Sequence, residues 1–309
     1  MDDSMVHESH GSQGTYTLDS GMLHVEWKDF PAEDFVEIDG IYTHRALVRD
    51  LPLPYAERRP KGVIPREPAG IQVVSLRRTP ERRDQFVKLN PGIHFEFFDA
   101  VDGQNVARAA FFNGTLADPN LPYSAGAIGC ALSHLSLWER SIKEQMVMTI
   151  VEDDVALRRD FETKSRDIIA SLPGDWDLIM WGWNFDAILS INTMPGISST
   201  VIVFDQTMLR QSISRFQRDL FEPHIFLLDK CFGTCAYSIS PAGSLKFRRL
   251  CFPLRNEGVF FPFLNRIRPN DGIDIAMNRI YALTNSYVSF PPLAVTPNIN
   301  EESLTLARR

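Results

Sequence analysis

The chain has 309 residues, a formal net charge of −7, and 44% hydrophobic and 23% charged residues. That length suits one large α/β domain or two smaller ones, the composition is that of an ordinary soluble globular protein, and the acidic balance lacks the electrostatic footprint of a general nucleic-acid binder. No apolar run reaches the ~18–20 residues of a membrane span, and the start MDDSMVHESHGSQG has neither the basic nor the apolar region of a secretory signal, so the expected place is the cytoplasm, with membrane contact only peripheral and through an acceptor.

Residues 1–14 are polar and acidic and read as disordered. Two hairpins are predicted next. Thr15–Leu18 and Met22–Trp27 flank Asp19-Ser20-Gly21, and Phe35–Ile38 and Ile41–Val48 flank Asp39-Gly40, a strong type I′ turn signal. Five prolines, at 52, 54, 60, 65 and 68, mark a linker or strap. The expected division is therefore residues 1–69, a β extension with its linker, and 70–309, the main domain.

Ile71–Leu76 is a short apolar strand. Thr79, Pro80 and Glu81 then suit the cap and first turn of a helix running to Leu89. Pro91-Gly92 breaks the pattern before a strand at Ile93–Phe98. In Tyr123–Gln145, Ile128, Leu132, Leu135, Trp138 and Ile142 recur at helical spacing and form one apolar face. The run Met146–Val151 follows as a strand with the continuous apolar character of a parallel sheet. A helix near Arg159–Ser171 stops at Pro173-Gly174 before a strand at Asp177–Trp181. Thr200–Phe204 and Ile225–Leu228 read as strands, with a helix or mobile loop between them. Gly233–Ser240 reads as a strand, Pro241–Leu250 and Gly272–Leu283 as helices, and Tyr287–Phe290 as a last strand. Alternation of helix and apolar strand predicts an α/β fold with a mostly parallel sheet. The four cysteines, Cys130, Cys231, Cys235 and Cys251, are too few for a disulfide framework and lack paired CxxC spacing, so free buried thiols are expected.

The chemistry concentrates where Met146–Val151 runs into Glu152, Asp153 and Asp154. Three crowded carboxylates raise one another's pKa, and a hard cation such as Mg²⁺ or Mn²⁺ relieves that repulsion. A solvated acidic turn is the bland alternative. Arg78 and Arg82 share a helix face. Their guanidinium forks suit phosphate or uracil oxygens, or pair with Glu81 or Asp84. Gly126 and Gly129 let a ligand approach the start of a helix, where a diphosphate is favoured, which makes Gly129 and Ser133 candidate donor contacts. Ser133 and His134 fall beside the apolar stripe, His134 either as a structural hydrogen-bonder or as an orienter of the acids. Trp181 and Trp183 are either core aromatics or stacking platforms for a sugar.

Read in order, VVSLRRTPERRDQF (73–86), FFDAVDG (97–103), GAIGCALSHLSLWE (126–139), IVEDDV (150–155), WDLIMWG (176–182), GTCAYSIS (233–240) and NDGID (270–274) resemble glycosyltransferase family 25, the lipooligosaccharide and collagen galactosyltransferases. The resemblance covers about residues 71–295. It implies a GT-A-like, Rossmann-type sheet flanked by helices, a UDP-sugar donor, a divalent cation (usually Mn²⁺, otherwise Mg²⁺), and a glycan or hydroxylated protein as acceptor. Glu152-Asp153-Asp154 looks like the family's DxD motif. Asp154 would then bind a metal bridging the donor phosphates, and Glu152 would hold the metal's waters or the donor ribose, with Asp153 beside them. Ser75, Leu76, Ala100, Val101 and Asp102 would line the donor pocket with Arg78 and Arg82, although Asp102-Gly103 also reads as a plain turn. Inverting transfer needs a base for the acceptor hydroxyl; Asp274 matches the family's late acid and Asp271 is its rival, and both also read as helix caps.

Overall fold

The runs punctuated by Ser20-Gly21 and Asp39-Gly40 are strands in the computed structural model, which describes residues 68–298 except 196, 262 and 264, together with five strands nearer the N-terminus. Those strands are β1 (Ser4–Val6), β2 (Gln13–Asp19), β3 (Met22–Trp27), β4 (Glu33–Ile38) and β5 (Ile41–His44). They form an antiparallel sheet in chain order, with Leu18 opposite Leu23 and Ile38 opposite Ile41. The expected disorder of residues 1–14 is thus corrected at Ser4–Val6 and at Gln13–Gly14. A three-residue edge strand is held by backbone pairing, which leaves little mark on composition. The turn at 39–40, the end of the predicted strand at 45–48 and the Pro-rich stretch 51–67 lie outside the described residues. Two units divide the chain, Met1–Lys61 and Gly62–Arg309.

In the second unit β6 (Pro68–Ser75), α1 (Pro80–Leu89) and β7 (Phe95–Asp99) open the main sheet. After α2 (Arg108–Phe111) comes α3 (Ala125–Glu144), whose N-cap Ser124 accepts the Ala127 N–H. Then follow β8 (Val147–Glu152), β9 (Ala156–Leu157), α4 (Phe161–Ser171) and β10 (Leu178–Gly182). The difficult stretch 183–232 resolves into β11 (Ile188–Met194), β12 (Ser198–Val203), α5 (Gln206–Phe216) and β13 (His224–Cys231); β11 was not among the predicted strands. The chain continues through β14 (Ala236–Ile239), α6 (Pro241–Cys251), β15 (Val259–Phe261), β16 (Arg266–Arg268), α7 (Ile273–Asn278), β17 (Ser286–Phe290) and β18 (Ala294–Val295). The helix predicted over Gly272–Leu283 stops at Asn278, and Tyr281–Leu283 is a 3₁₀ turn.

The main sheet has nine strands in the order β12-β11-β13-β17-β10-β14-β8-β6-β7. β7, β6 and β8 are parallel neighbours, as are β10 and β17. β14 runs antiparallel between β8 and β10, and β13, β11 and β12 extend the far edge by antiparallel pairing. This is the expected α/β sheet flanked by helices, with one reversed strand set into its middle.

β8 shows why these residues make a central strand. Val147–Val151 are all buried, and their side chains alternate between the two faces. Met148 and Ile150 join a core with Ile128, Ala131, Trp138 and Tyr237 on the α3 side. Val147 and Val151 join a second core with Val73, Phe86, Ile168 and Ile169 on the α1 and α4 side. Burial on both faces removes any reason for polar alternation, so the strand reads as a continuous apolar run. No described helix is long and apolar enough to cross a membrane.

Candidate active site

β6, β7 and β8 are parallel and in register, with Ser75 beside Asp99 and Val74 beside Glu152. Their carboxyl ends therefore reach one edge of the sheet, the usual ligand position in open α/β sheets. A cleft of ≈ 940 Å³ lies there. It gathers Ser75 from the end of β6, Leu76 and Arg78 from the turn that follows, Arg82 from the first turn of α1, and Ala100, Val101 and Asp102 from the loop after β7. Gly129, Ser133 and His134 reach it from α3, Glu152, Asp153 and Asp154 from the end of β8, and Asp271 and Asp274 from the start of α7. Trp181 and Trp183 lie elsewhere, fully buried in the core; as sugar-stacking candidates both are corrected. Trp181 Nε1 donates to Ser238 Oγ, and Trp183 stacks on Phe185.

The three acids at the end of β8 diverge. Asp153 turns inward, where Oδ2 accepts from Ser75 Oγ at 2.7 Å and Oδ1 accepts from Arg82 Nε at 2.9 Å. Arg82 and Ser75 thus hold the strand ends together through Asp153, and Arg78 pairs with Asp102 at 2.7 Å. Arg78 stands ahead of α1, so the shared helix face expected for Arg78 and Arg82 is corrected: only Arg82 lies on the helix, in its first turn, against the acid that follows β8, while Arg78 meets the acid that follows β7. Glu152 turns the other way, accepting from Thr234 Oγ1 at 2.5 Å. Burial first, and then the charge of Asp154, push the Glu152 carboxyl up to about 7. Asp154 lies between them, its Oδ2 3.8 Å from Arg82 Nη2. Burial raises its pKa against the opposing pull of Arg82, and its Oδ1 is buried with no hydrogen-bond partner. A buried, unsatisfied oxygen on a carboxylate that burial raises, next to Glu152, which burial raises too, fits a hard divalent cation, which prefers oxygen ligands and lowers such pKa values.

Across the cleft Asp274 sits in the first turn of α7, and its Oδ2 accepts the Gly233 N–H at 3.0 Å. Burial raises its pKa, with the Gly233 bond opposing and Asp271 adding to the rise. Asp271 is exposed at the rim. This loop is pinned from behind: Tyr123 OH donates to Asn270 Oδ1 at 3.0 Å, and Asn270 Nδ2 donates to the Arg255 carbonyl at 2.8 Å. Gly233 has φ +82°, and a Cβ there would come within 2.5 Å of Asn184 Oδ1. Only glycine supplies both that conformation and that space, so the N–H that orients Asp274 depends on it.

α3 shapes the floor. A Cβ on Gly129 would fall 2.4 Å from the Val101 carbonyl oxygen, so the glycine admits the loop after β7. Ser133 Oγ accepts the Val101 N–H at 2.9 Å and donates to the Gly129 carbonyl at 2.7 Å. Ser133 therefore fixes that loop. Both Ser133 and His134 are fully buried, inside the helix's core-facing surface and not beside it. His134 Nδ1 meets Tyr237 OH at 2.8 Å, and that hydroxyl also accepts from Trp138 Nε1 at 2.8 Å. Burial lowers the His134 pKa to about 4.

Several cleft residues were not singled out as site residues in the sequence. Thr234, which orients Glu152, follows a glycine in a loop. Thr296 lines the cleft beyond β18, and its side-chain hydrogen bond to Asp154 opposes the rise that burial causes. Arg266 and Arg268 enter from β16, the latter over the Phe232 ring at 5.9 Å. All four cysteines are free.

Comparison with known proteins places most of this domain in one family. Residues 69–256 match the family described as Glycosyltransferase family 25 (LPS biosynthesis protein). A glycosyltransferase 25 family member of Anopheles gambiae is 32% identical over 125 residues, 36% of this chain and 21% of that protein. Procollagen galactosyltransferase 2 of Mus musculus is 31% identical over 126 residues, 36% of this chain and 20% of that one. A probable inactive glycosyltransferase 25 family member 3 of Bos taurus is 30% identical over 218 residues, 64% of this chain and 32% of that protein. The matches span about a fifth to a third of these relatives' length.

Proposed function

The chain belongs to glycosyltransferase family 25, and from that membership we propose that it is an inverting, metal-dependent transferase moving a hexose from a UDP-sugar to a hydroxyl of a glycan or a hydroxylated protein. The mouse relative's name favours galactose over glucose as the sugar. The observation that carries the reading is one cleft lined both by Asp154, with one oxygen buried and unpartnered, and by Asp274.

Asp154, with Glu152 beside it, would hold Mn²⁺ or Mg²⁺, and the cation would offset the charge growing on the departing diphosphate. Ser75, Leu76, Ala100 and Val101 line the nucleotide side, where the Arg78–Asp102 and Arg82–Asp153 pairs keep two guanidinium groups facing the cleft. Asp274 takes the acceptor proton. A carboxylate held above its ordinary range by burial is a stronger base than an exposed one, and the Gly233 N–H fixes its direction.

The test is UDP release from UDP-galactose and UDP-glucose, first with Mn²⁺ and then with EDTA. Release that needs the metal is expected; no turnover and no binding of any UDP-sugar with metal present overturns the proposal. The bovine relative's description as probably inactive favours a second reading, a non-catalytic nucleotide-sugar binder. Calorimetric donor binding without UDP release across a range of acceptors would select it.

A further inference from the structure

We propose that Cys130, His134 and Glu152 form a binding site for a thiophilic divalent cation of the Zn²⁺ class, separate from the hard-cation position at Asp154. Cys130 and His134 are four residues apart on α3 and so share one face of the helix. Glu152 ends the neighbouring strand β8. One ligand atom from each of the three lies within 4.8 Å of the other two, and among the described residues this is the one group of three or more Cys, His, Asp or Glu side chains that converges so closely. Tetrahedral zinc, with Zn–S ≈ 2.3 Å and Zn–N ≈ 2.0–2.1 Å, holds its ligand atoms roughly 3.5 Å apart. Closing from the present separation takes about 1 Å of side-chain movement, within reach of χ adjustments in Cys130 and Glu152.

A second, independent feature points the same way. His134 is fully buried, its Nδ1 is engaged by Tyr237, and its Nε2 is buried with no hydrogen-bond partner. An orphaned imidazole nitrogen in a core needs an explanation, and a metal at Nε2 supplies one. The Tyr237 contact is then the outer bond that orients a metal-bound imidazole, with Nδ1–H donating to the phenol oxygen. Trp138 fixes that phenol in turn. Glu152 gives one oxygen to Thr234 and keeps the other. Cys130 and His134 both line the cleft, so a cation has an entry path and its fourth position faces the cleft, as in an open three-ligand zinc site. The ligand set also discriminates: a thiolate and an imidazole suit zinc, whereas Mg²⁺ and Mn²⁺ prefer oxygens. Because Glu152 borders both positions, a thiophilic cation here draws it away from Asp154.

The test uses the 309-residue chain, metal-stripped and reduced, titrated with Co²⁺ while the thiolate-to-cobalt charge-transfer band is followed in the near ultraviolet. One equivalent of band is expected, abolished by equimolar Zn²⁺, absent in Cys130→Ser, and weakened in Glu152→Gln. It should persist in Asp154→Asn. No band from folded protein overturns the site, and so does a band that survives Cys130→Ser but is lost in Cys235→Ser, which would place the metal on the other nearby thiol. The readout needs neither donor nor turnover, so it stands or falls apart from the transferase proposal.

Discussion

Glu152→Gln should make the folded protein more stable at alkaline pH and leave it nearly unchanged in acid. In the fold the Glu152 carboxyl titrates at about 7, against an ordinary value of 4.5. Burial is the main cause and the Asp154 charge the next. A folded-state pKa above the unfolded one means the fold binds the proton more tightly, so the stabilisation is complete below pH 4.5 and disappears as pH rises through 7. At 1.36 kcal/mol per tenfold the gap amounts to about 3 kcal/mol, trimmed toward about 2 by the side chain's partial opening to the cleft. The amide keeps the shape and can still accept from Thr234, but has no charge to desolvate. Urea unfolding followed by tryptophan fluorescence in EDTA, at pH 5 and pH 8, measures the effect. The variant should gain about 2–3 kcal/mol over the native protein between those values. His134 has the opposite slope. Its folded pKa of about 4 lies below the ordinary 6.5, so its contribution is present above 6.5 and lost as pH falls toward 4; it is common to both proteins and cancels in the difference. A native–variant gap that stays constant from pH 5 to pH 8 refutes the reasoning.

Asp154→Ala should lower UDP release by more than about 10³-fold while leaving the circular dichroism spectrum unchanged, since it removes an unsatisfied buried oxygen and, of side-chain bonds, the Thr296 contact and the long approach to Arg82. Asp274→Asn should reduce kcat by about 10²–10⁴-fold with donor affinity by calorimetry unaltered. Asp271→Asn should change kcat by less than about tenfold, and the reverse pattern moves the base to Asp271. Arg82→Met leaves Asp153 buried without its cation and should cost about 3–5 kcal/mol of stability in thermal or urea unfolding; a cost under 1 kcal/mol contradicts the strand-pinning role. Gly129→Ala puts a Cβ 2.4 Å from the Val101 carbonyl. It should destabilise by about 1–3 kcal/mol and raise the KM for donor, because the loop after β7 must move.

Much of this architecture was legible because local signals and tertiary demands agree. Pro80 and Leu89 bound α1 as predicted, and the strands flanking the two predicted N-terminal turns pair antiparallel, with Asp19, expected in the first turn, joining β2 opposite Met22. β14 was legible as a strand but not in direction, since an apolar run buried on both faces reads alike either way. β11 was lost because Asp186–Met194 mixes polar and apolar residues as an antiparallel strand near a sheet edge does. Two-residue pairings such as β9 with β18 depend on residues more than a hundred positions apart and leave no periodic trace. The site followed the same division. The ends of strands told where the acids would meet; which way each acid turns depended on Ser75, Arg82 and Thr234, partners fixed only by the sheet order.

That divergence changes what the EDD triplet means physically. Three adjacent carboxylates suggest three equivalent ligands, yet Asp153 has both oxygens engaged by Ser75 and Arg82 and acts as the rivet between β6, α1 and β8. Its charge still raises Glu152 and Asp154, so the residue least available to a cation helps make the other two receptive to one. Glu152, the last residue of β8, is held by Thr234 ahead of β14, whereas Asp153, in the turn that follows, is held by Ser75 of β6 and Arg82 of α1. Asp154 alone has a buried oxygen left without a partner at the floor of the cleft. A motif of three acids thus yields one structural acid, one acid with a buried oxygen unpartnered and one acid close to a cysteine and a histidine, and the turn that ends β8 sets that partition ahead of any ligand.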